Sequence, residues 1–521
     1  MANLFVQQLL RDPTSLPPHG ICLPIFSLHS KGSGGIGEYT DLLPLLAWAK
    51  KLGIHIIQLL PLNDTGLETS PYNALSAFAL NPIHLGLKQL PYLANYPELT
   101  PLLAQLQALN QTQRVSYKEV HGQRDLFLRQ YFQLAGPLLL KADDFQKFQQ
   151  QNEWVEKYAL FKTLKIARNW ESWDLWPEKL RYPTEDYLAE LLLGKREEVA
   201  YHSLLQFLCF SQMEKVKKEA ESQGIFLKGD IPILIDSQSA DVWLNRPLFH
   251  THLTAGAPPD QYSEVGQNWG FPLYNWDKHA ETHYTWWKKR LEIASHFYHF
   301  YRIDHVVGFY RIWGIPFNQS AKEGKFFPED PSVWISHGEK ILKMMVDYCP
   351  MLPIGEDLGV IPPEVRINLR QLGICGTKVM RWERRWNEDG RFINPHDYIL
   401  ESLTTVSTHD SETLQQWWRN NPQDAKDFSS FKGWTYEPTL SSVRHQEILY
   451  DSHHTRSIFH INLLHEYLAV IPGLTWPSLE DERINIPGVV SDRNWSYRFK
   501  PSVEEIIQNP ELAKLIKKLT V

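Results

Sequence analysis

The four cysteines of this 521-residue chain, Cys22, Cys209, Cys349 and Cys375, lie far apart and form no C-x-x-C pair, which argues against a disulfide framework and a cysteine zinc site. They read as buried thiols of a reducing compartment, the cytoplasm, or a plastid for a chain whose transit peptide has been removed. No apolar run reaches the roughly 20 residues that cross a bilayer. The first residues, "MANLFVQQLLRDPTSLPPHG", lack a basic leader and carry Arg11 and Asp12 just after their apolar run, so no signal peptide is expected. A block of one charge is missing too. The 53 Lys and Arg are mixed with 60 Asp and Glu for a net charge of -7, so neither nucleic acid nor a membrane is an expected partner. P-loop, G-x-S-x-G and H-E-x-x-H motifs are absent. His250 and His252 in "FHTHL" have no third ligand spaced to help them, and no metal or cofactor is expected.

Aromatic residues, by contrast, are plentiful, with 19 Trp and 22 Tyr. They suit either a large core or the stacking of sugar rings, whose apolar C–H face and hydroxyl rim match an indole. Helix and strand patterns alternate. In "DLLPLLAWAKKLGIHIIQLLPLND" apolar residues recur at helical spacing from Leu42 to Leu52, Gly53 marks the helix end, and an apolar run follows from Ile54 to Leu62. The same order appears around Gly224 and in "ILKMMVDYCPMLPIGEDLG". Further strand candidates are "GICLPIF", "FYRIDHVV", "GTKVMRW", "LTTVSTHD" and "LAVIPGL". About eight strands alternating with helices predict an α/β fold, a (β/α)8 TIM barrel, with an open doubly wound sheet as the alternative. Length alone allows roughly three or four domains, yet a barrel with insertions accounts for residues 1–521 as one unit. Residues 90–222 read as a mostly helical insertion. Residues 236–290, rich in Gly, Pro and aromatics, read as a long loop subdomain near the active site.

"GSGGIG", Gly32 to Gly37, satisfies the dinucleotide pattern G-x-G-x-x-G, but "SLHSK" separates it from its strand and Glu38 would face a pyrophosphate. A plain glycine turn is the competing reading. Three acidic strand ends carry more. In "YRIDHV" alternation puts Arg302 and Asp304 on one face and Ile303 and His305 on the other, so Arg302 is expected to depress the Asp304 pKa. The bland alternative is a structural ion pair. In "LPIGEDLGV" the adjacent Glu356 and Asp357 point to opposite sides, with either as a cap of the next helix in the alternative. In "TTVSTHDSETL" His409 and Asp410 end a β-branched run, with Asp410 or Ser411 as a plain helix cap in the alternative.

At these segments the chain resembles the 4-α-glucanotransferases of the amylomaltase type, family 77 of the glycoside hydrolases in the α-amylase clan. The resemblance also runs through "GIGEYTDL", "LLPLND", "SPYNALSAFALNP", "GDIPILI", "SADVW", "AGAPPD", "GQNWGFPLYNW", "RINIPG" and "NWSYRF". It implies a (β/α)8 barrel with a helical insertion before the third strand, and it turns the glycine stretch into the turn after the first strand. It further implies Asp304 as nucleophile, Glu356 as general acid and base, and Asp410 as transition-state stabiliser, with Arg302 and His409 beside them. Tyr72, Asp241, Trp269, His305 and Asn485 are implied to line the glucan path. Two positions depart from the family pattern, Ser411 where Asn is common and Gln238 where Asp or His is common.

The implied reaction is a retaining double displacement that moves α-1,4-glucan segments between maltodextrins derived from starch or glycogen, with glucose as an acceptor, and needs no cofactor. Such chemistry calls for a raised Glu356 pKa and carboxyl groups about 5 to 5.5 Å apart. An α-glucan hydrolase of the same clan and a catalytically silent glucan-binding protein are the alternatives.

Overall fold

The computed structural model describes residues 18–259 and 264–520. Residues 1–17, residues 260–263 of the aromatic stretch and Val521 lie outside the described residues. In chain order the strands are β1 (His19–Leu23), β2 (Ile54–Leu59), β3 (Phe226–Ile231), β4 (Phe249–Ala257), β5 (Gln267–Tyr274), β6 (Phe300–Ile303), β7 (Ile312–Pro316), β8 (Lys325–Phe327), β9 (Leu352–Gly355), β10 (Gly376–Val379), β11 (Ser402–Thr405) and β12 (Phe459–Leu463).

Eight of them form one parallel sheet in the order β10-β11-β12-β1-β2-β3-β6-β9. A parallel bridge between Ile354 and Cys375, with the Gly355 amide donating to the Cys375 carbonyl at 2.8 Å, joins the last strand to the first and closes the barrel. Most of these strands are short and buried, which is why they read as apolar runs; β10, with Gly376, Thr377 and Lys378 half-buried, is the exception. Glycine ends the helices before β2 and β3: Gly53 (φ 72°) follows the helix Leu42–Lys51, and Gly224 (φ 70°) follows the helix Arg196–Gln223, a left-handed position where a side chain is strained.

Between β2 and β3 the chain runs through a set of helices that ends in Arg196–Gln223, which packs on Trp154–Ala167 and on Leu42–Lys51. The stretch expected to be a long loop is more regular than its composition suggests. It carries β4 and β5, which join β7 and β8 in an antiparallel sheet of order β5-β4-β7-β8. Gly256 serves close packing there, since a Cβ on it would lie 1.9 Å from the Gln267 carbonyl oxygen of the partner strand.

One strand expectation needs correcting. "LAVIPGL" is the end of the helix Leu464–Leu468 and a turn, and the eighth barrel strand is β12, "FHINL". The buried polar side chains of His460 and Asn462 break up the apolar run that marks the other strands. The glycine motif is a packed turn. The Gly34 amide donates to Glu38 Oε1 (2.9 Å), which also takes Arg124 Nη1 of the helix Tyr117–Leu139 (3.0 Å), and a Cβ on Gly37 would sit 1.8 Å from the Ile25 carbonyl oxygen. With Glu38 and Arg124 filling the turn, no phosphate cradle is left.

A cluster of buried histidines lies at the opposite end of the strands from the acids. His19 opens β1 and meets His453 Nδ1 at 2.9 Å, its ring stacks on His460, and His453 Nε2 pairs with the Tyr467 hydroxyl at 2.7 Å. Burial lowers His19 to about 3 and His460 to about 4, and takes His453 well below its usual value. All three are neutral in the folded chain and titrate near 6.5 once unfolded. The unfolded state therefore binds more protons below about pH 6.5, and stability falls as the pH drops from there toward about 4. Calorimetry is expected to show Tm declining across that window, less steeply for His460→Gln; an unchanged slope in that variant would mean that His460 takes up no extra proton on unfolding.

Candidate active site

Register brings the acids together. In the parallel ladders Asp230 of β3 pairs with Arg302 of β6, and Arg302 with Ile354 of β9, while Ile303 pairs with Gly355. Asp304 and Glu356 are each the next residue, so both leave neighbouring strands at the same level, at the C-terminal end of the barrel where catalytic groups of this architecture sit.

Arg302 is the hub. Its Nη1 lies 2.7 Å from Asp304 Oδ1 and 2.9 Å from Asp230 Oδ2, and its Nη2 lies 3.6 Å from Glu356 Oε2. The Asp230 side chain is fully buried and that of Asp304 is 25% exposed, so Asp230 holds the guanidinium from below and Asp304 is open to a ligand. Asp230 was not singled out in the sequence. Its signal was present in Lys228 and Asp230, two charged residues at strand spacing in a run that otherwise reads as buried.

Arg302 does not depress the Asp304 pKa as expected. Burial pushes Asp304 up, and the negative charges of Asp230 and Asp410 add to this; together they outweigh Arg302 and His409. Glu356 is pushed up to about 8, first by burial and then by Asp304 and Asp410, against the opposing pull of Arg302 and of the His305 amide. The adjacent Asp357 turns away. It is buried, accepts the Thr377 amide at 2.7 Å and pairs with Arg366.

β6 ends at Ile303, and His305 adopts a left-handed conformation (φ 45°). Regular strand geometry would have sent this residue away from Asp304. The turn instead lets the His305 amide donate to Glu356 Oε2 at 2.7 Å and sets its ring edge-on to Trp269 of β5, with centroids 5.0 Å apart.

His409 and Asp410 lie at the tip of the loop after β11. Neither Asp410 nor Ser411 caps the helix Leu414–Asn420; Thr413 does, in a capping box with Gln416. Asp410 is free for the site, where its Oδ1 accepts Asn485 Nδ2 at 2.7 Å and its Oδ2 lies 3.3 Å from His409 Nε2. Burial alone would raise the Asp410 pKa; contacts with His409 and Asn485, and the charge of Arg302, reverse this and hold it well below the usual carboxylate range. The Tyr72 hydroxyl donates to Asp230 Oδ2 (2.8 Å) and lies 2.9 Å from His409 Nε2. Since its single proton is committed to Asp230, the Tyr72 oxygen accepts from His409, which places a proton on Nε2. The Tyr72 ring stacks on His409 and leans on Trp495.

Asp241 does not join this group. It is buried, accepts the Ala77 amide and Trp286 Nε1 at 2.9 Å each, and so secures the loop that carries Tyr72. Ser411 turns its hydroxyl onto the Thr408 amide (2.8 Å), and Gln238 bonds Trp173 and Asp174. Arg302, Glu356, His409 and Asp410 line a cavity of about 310 Å³, with Lys228 and Trp382 also in its wall. The tryptophans divide between the two roles composition allowed: Trp176, Trp243, Trp287 and Trp418 are core, and Trp269, Trp382 and Trp495 face the site.

Comparison with known proteins agrees with this architecture. The family model of the 4-alpha-glucanotransferases, glycoside hydrolase family 77, matches residues 23–504. The chain is 44% identical over 505 residues to a 4-alpha-glucanotransferase of Chlamydia pneumoniae, covering 96% of this chain and 95% of that one. It is 33% identical over 513 residues to that of Thermus thermophilus, covering 95% and 94%. An amylomaltase from Streptococcus agalactiae, solved in complex with acarbose, shares the fold with a TM-score of 0.81 at 24% identity, over 97% of this chain and 99% of that one. The closed parallel barrel, the extent of the family match and these identities lead to one conclusion: the chain belongs to the 4-alpha-glucanotransferase family.

Proposed function

We propose that this enzyme transfers α-1,4-glucan segments from a donor maltodextrin to an acceptor glucan or glucose by a retaining double displacement. The observation that carries the mechanism is the unequal hold of one guanidinium on two carboxyl groups. Asp304, at 2.7 Å from Arg302, is the one that stays ionised; Glu356, at 3.6 Å with its pKa at about 8, is the one that keeps a proton. Two carboxyl groups that burial raises together, but that one cation holds unequally, can divide into a nucleophile and a general acid.

In the first step an Asp304 oxygen bonds to the anomeric carbon as the glycosidic C–O bond breaks, and Glu356 passes its proton to the leaving oxygen. In the second, Glu356 takes the proton of an acceptor hydroxyl, whose oxygen displaces Asp304 and restores the α configuration. Asp410, kept ionised by His409 and Asn485, faces the positive charge that develops on the ring. Trp269 and Tyr72 offer apolar faces on which glucosyl rings stack. Acceptor sugars held there would outcompete water for the intermediate.

Incubation with maltotriose alone is expected to give glucose and a ladder of longer maltodextrins. Shorter sugars only would make the enzyme a hydrolase, and binding without products would make it a silent binder. Asp304→Asn is expected to lower kcat by roughly 10⁴-fold or more with an unchanged circular dichroism spectrum. Appreciable residual turnover would remove Asp304 from the nucleophile role.

The general acid must be protonated, so kcat/KM is expected to fall as pH rises through about 8. In Glu356→Gln the first step should survive with a maltosyl fluoride donor, whose leaving group needs no proton, whereas Asp304→Asn should fail with either donor. An alkaline limb that persists in Glu356→Gln would assign it to another group.

A further inference from the structure

The loop from Val406 to Thr413 carries His409 and Asp410 between β11 and the helix Leu414–Asn420, and a single buried side chain fastens it at both ends. Glu466, in the short helix after β12, has no exposed surface. Its Oε1 accepts the Ser407 hydroxyl at 2.6 Å, two residues before His409, and the Leu414 amide at 3.1 Å, four residues after Asp410. His445 Nε2 lies 3.2 Å from Oε2, and His465 Nε2 lies 3.7 Å from Oε1. Burial alone would protonate Glu466; its contacts with His445 and His465 reverse this and hold it well below the usual carboxylate range. The ends of the loop are thus bound to an anion, and bonds of this charge-assisted kind are shorter and stronger than neutral ones. Arg483 and Asn485 hold only the tip, at the Asp410 carbonyl (3.1 Å) and carboxylate (2.7 Å).

We infer that Glu466 is a positioning residue for glycosyl transfer, which sets the height of His409 and Asp410 in the barrel mouth by pinning Ser407 and Leu414 to one carboxylate. This rests on the roles proposed above for His409 and Asp410. Glu466 touches no substrate, so it acts on kcat through the loop and leaves the surfaces that bind the glucan in place. A shift of about 1 Å at a charge that stabilises the transition state is enough to cost about 100-fold in rate.

Steady-state kinetics on maltotriose are expected to show kcat down about 100-fold in Glu466→Gln, with KM within about twofold of the wild type. Ser407→Ala, which removes one hydroxyl and leaves the buried charge paired, should lower kcat roughly tenfold. It should add less than about twofold in the Glu466→Gln background, because both variants release the same attachment. The decisive measurement uses a maltosyl fluoride donor and an Asp410→Asn background. If Glu466 acts through Asp410, Glu466→Gln costs almost nothing further there. Independent, multiplying losses would overturn the inference, as would a Glu466→Gln variant that melts earlier with kcat intact or a Ser407→Ala variant with wild-type kcat. If Asp410→Asn alone kept full activity, the role proposed for Asp410 would fail instead, so the two failures are distinguishable.

Discussion

One guanidinium faces three carboxyl groups at the mouth of this barrel, and the chemistry depends on that imbalance. Arg302 contacts Asp230, Asp304 and Glu356 in a region where none of the four side chains is more than 25% exposed. A single positive charge cannot balance three negative ones where water screens poorly. The least costly relief is a proton on the carboxyl farthest from the cation, which is Glu356. The proton that the proposed mechanism needs on Glu356 is thus owed first to burial and then to the neighbouring carboxylates. Asp230 matters for the same reason. It brings Arg302 into the barrel and takes up much of its charge, so Arg302 has too little left to hold both remaining acids ionised.

Around this centre the same device recurs. Buried carboxylates accept backbone amides at the turns: Glu38 takes Gly34, Asp64 takes Gly66, Asp241 takes Ala77, Asp357 takes Thr377 and Glu466 takes Leu414. Loops leave amides without ladder partners, and a buried amide must be satisfied. An acidic side chain anchored in the core does this and also fixes the position of the loop. Two of these anchors, Asp241 and Glu466, serve the loops that carry Tyr72 and His409. The groups around the acids are thus held by buried side chains that accept hydrogen bonds from the loop backbone.

Much of the barrel was legible because parallel strands buried on both faces leave apolar runs, and because glycines such as Gly53 and Gly224 mark where helices end. The strand that escaped, β12, places the polar side chains of His460 and Asn462 among buried groups, which removes the signal a buried strand normally gives. The antiparallel sheet was hidden for a related reason: its glycines and prolines meet the close approach of β4 to β5, and sequence patterns count those residues as loop. At the site, strand alternation correctly paired Arg302 with Asp304 but misplaced His305, because one left-handed residue reverses the direction of the chain. Charge could not be read by pairs at all. Arg302 next to Asp304 suggests a depressed carboxylate, and burial, with the charges that Asp230 and Asp410 bring from distant parts of the chain, inverts that sign. Short-range patterns report what a residue prefers. The protonation state of a buried acid is set by everything the fold brings near it.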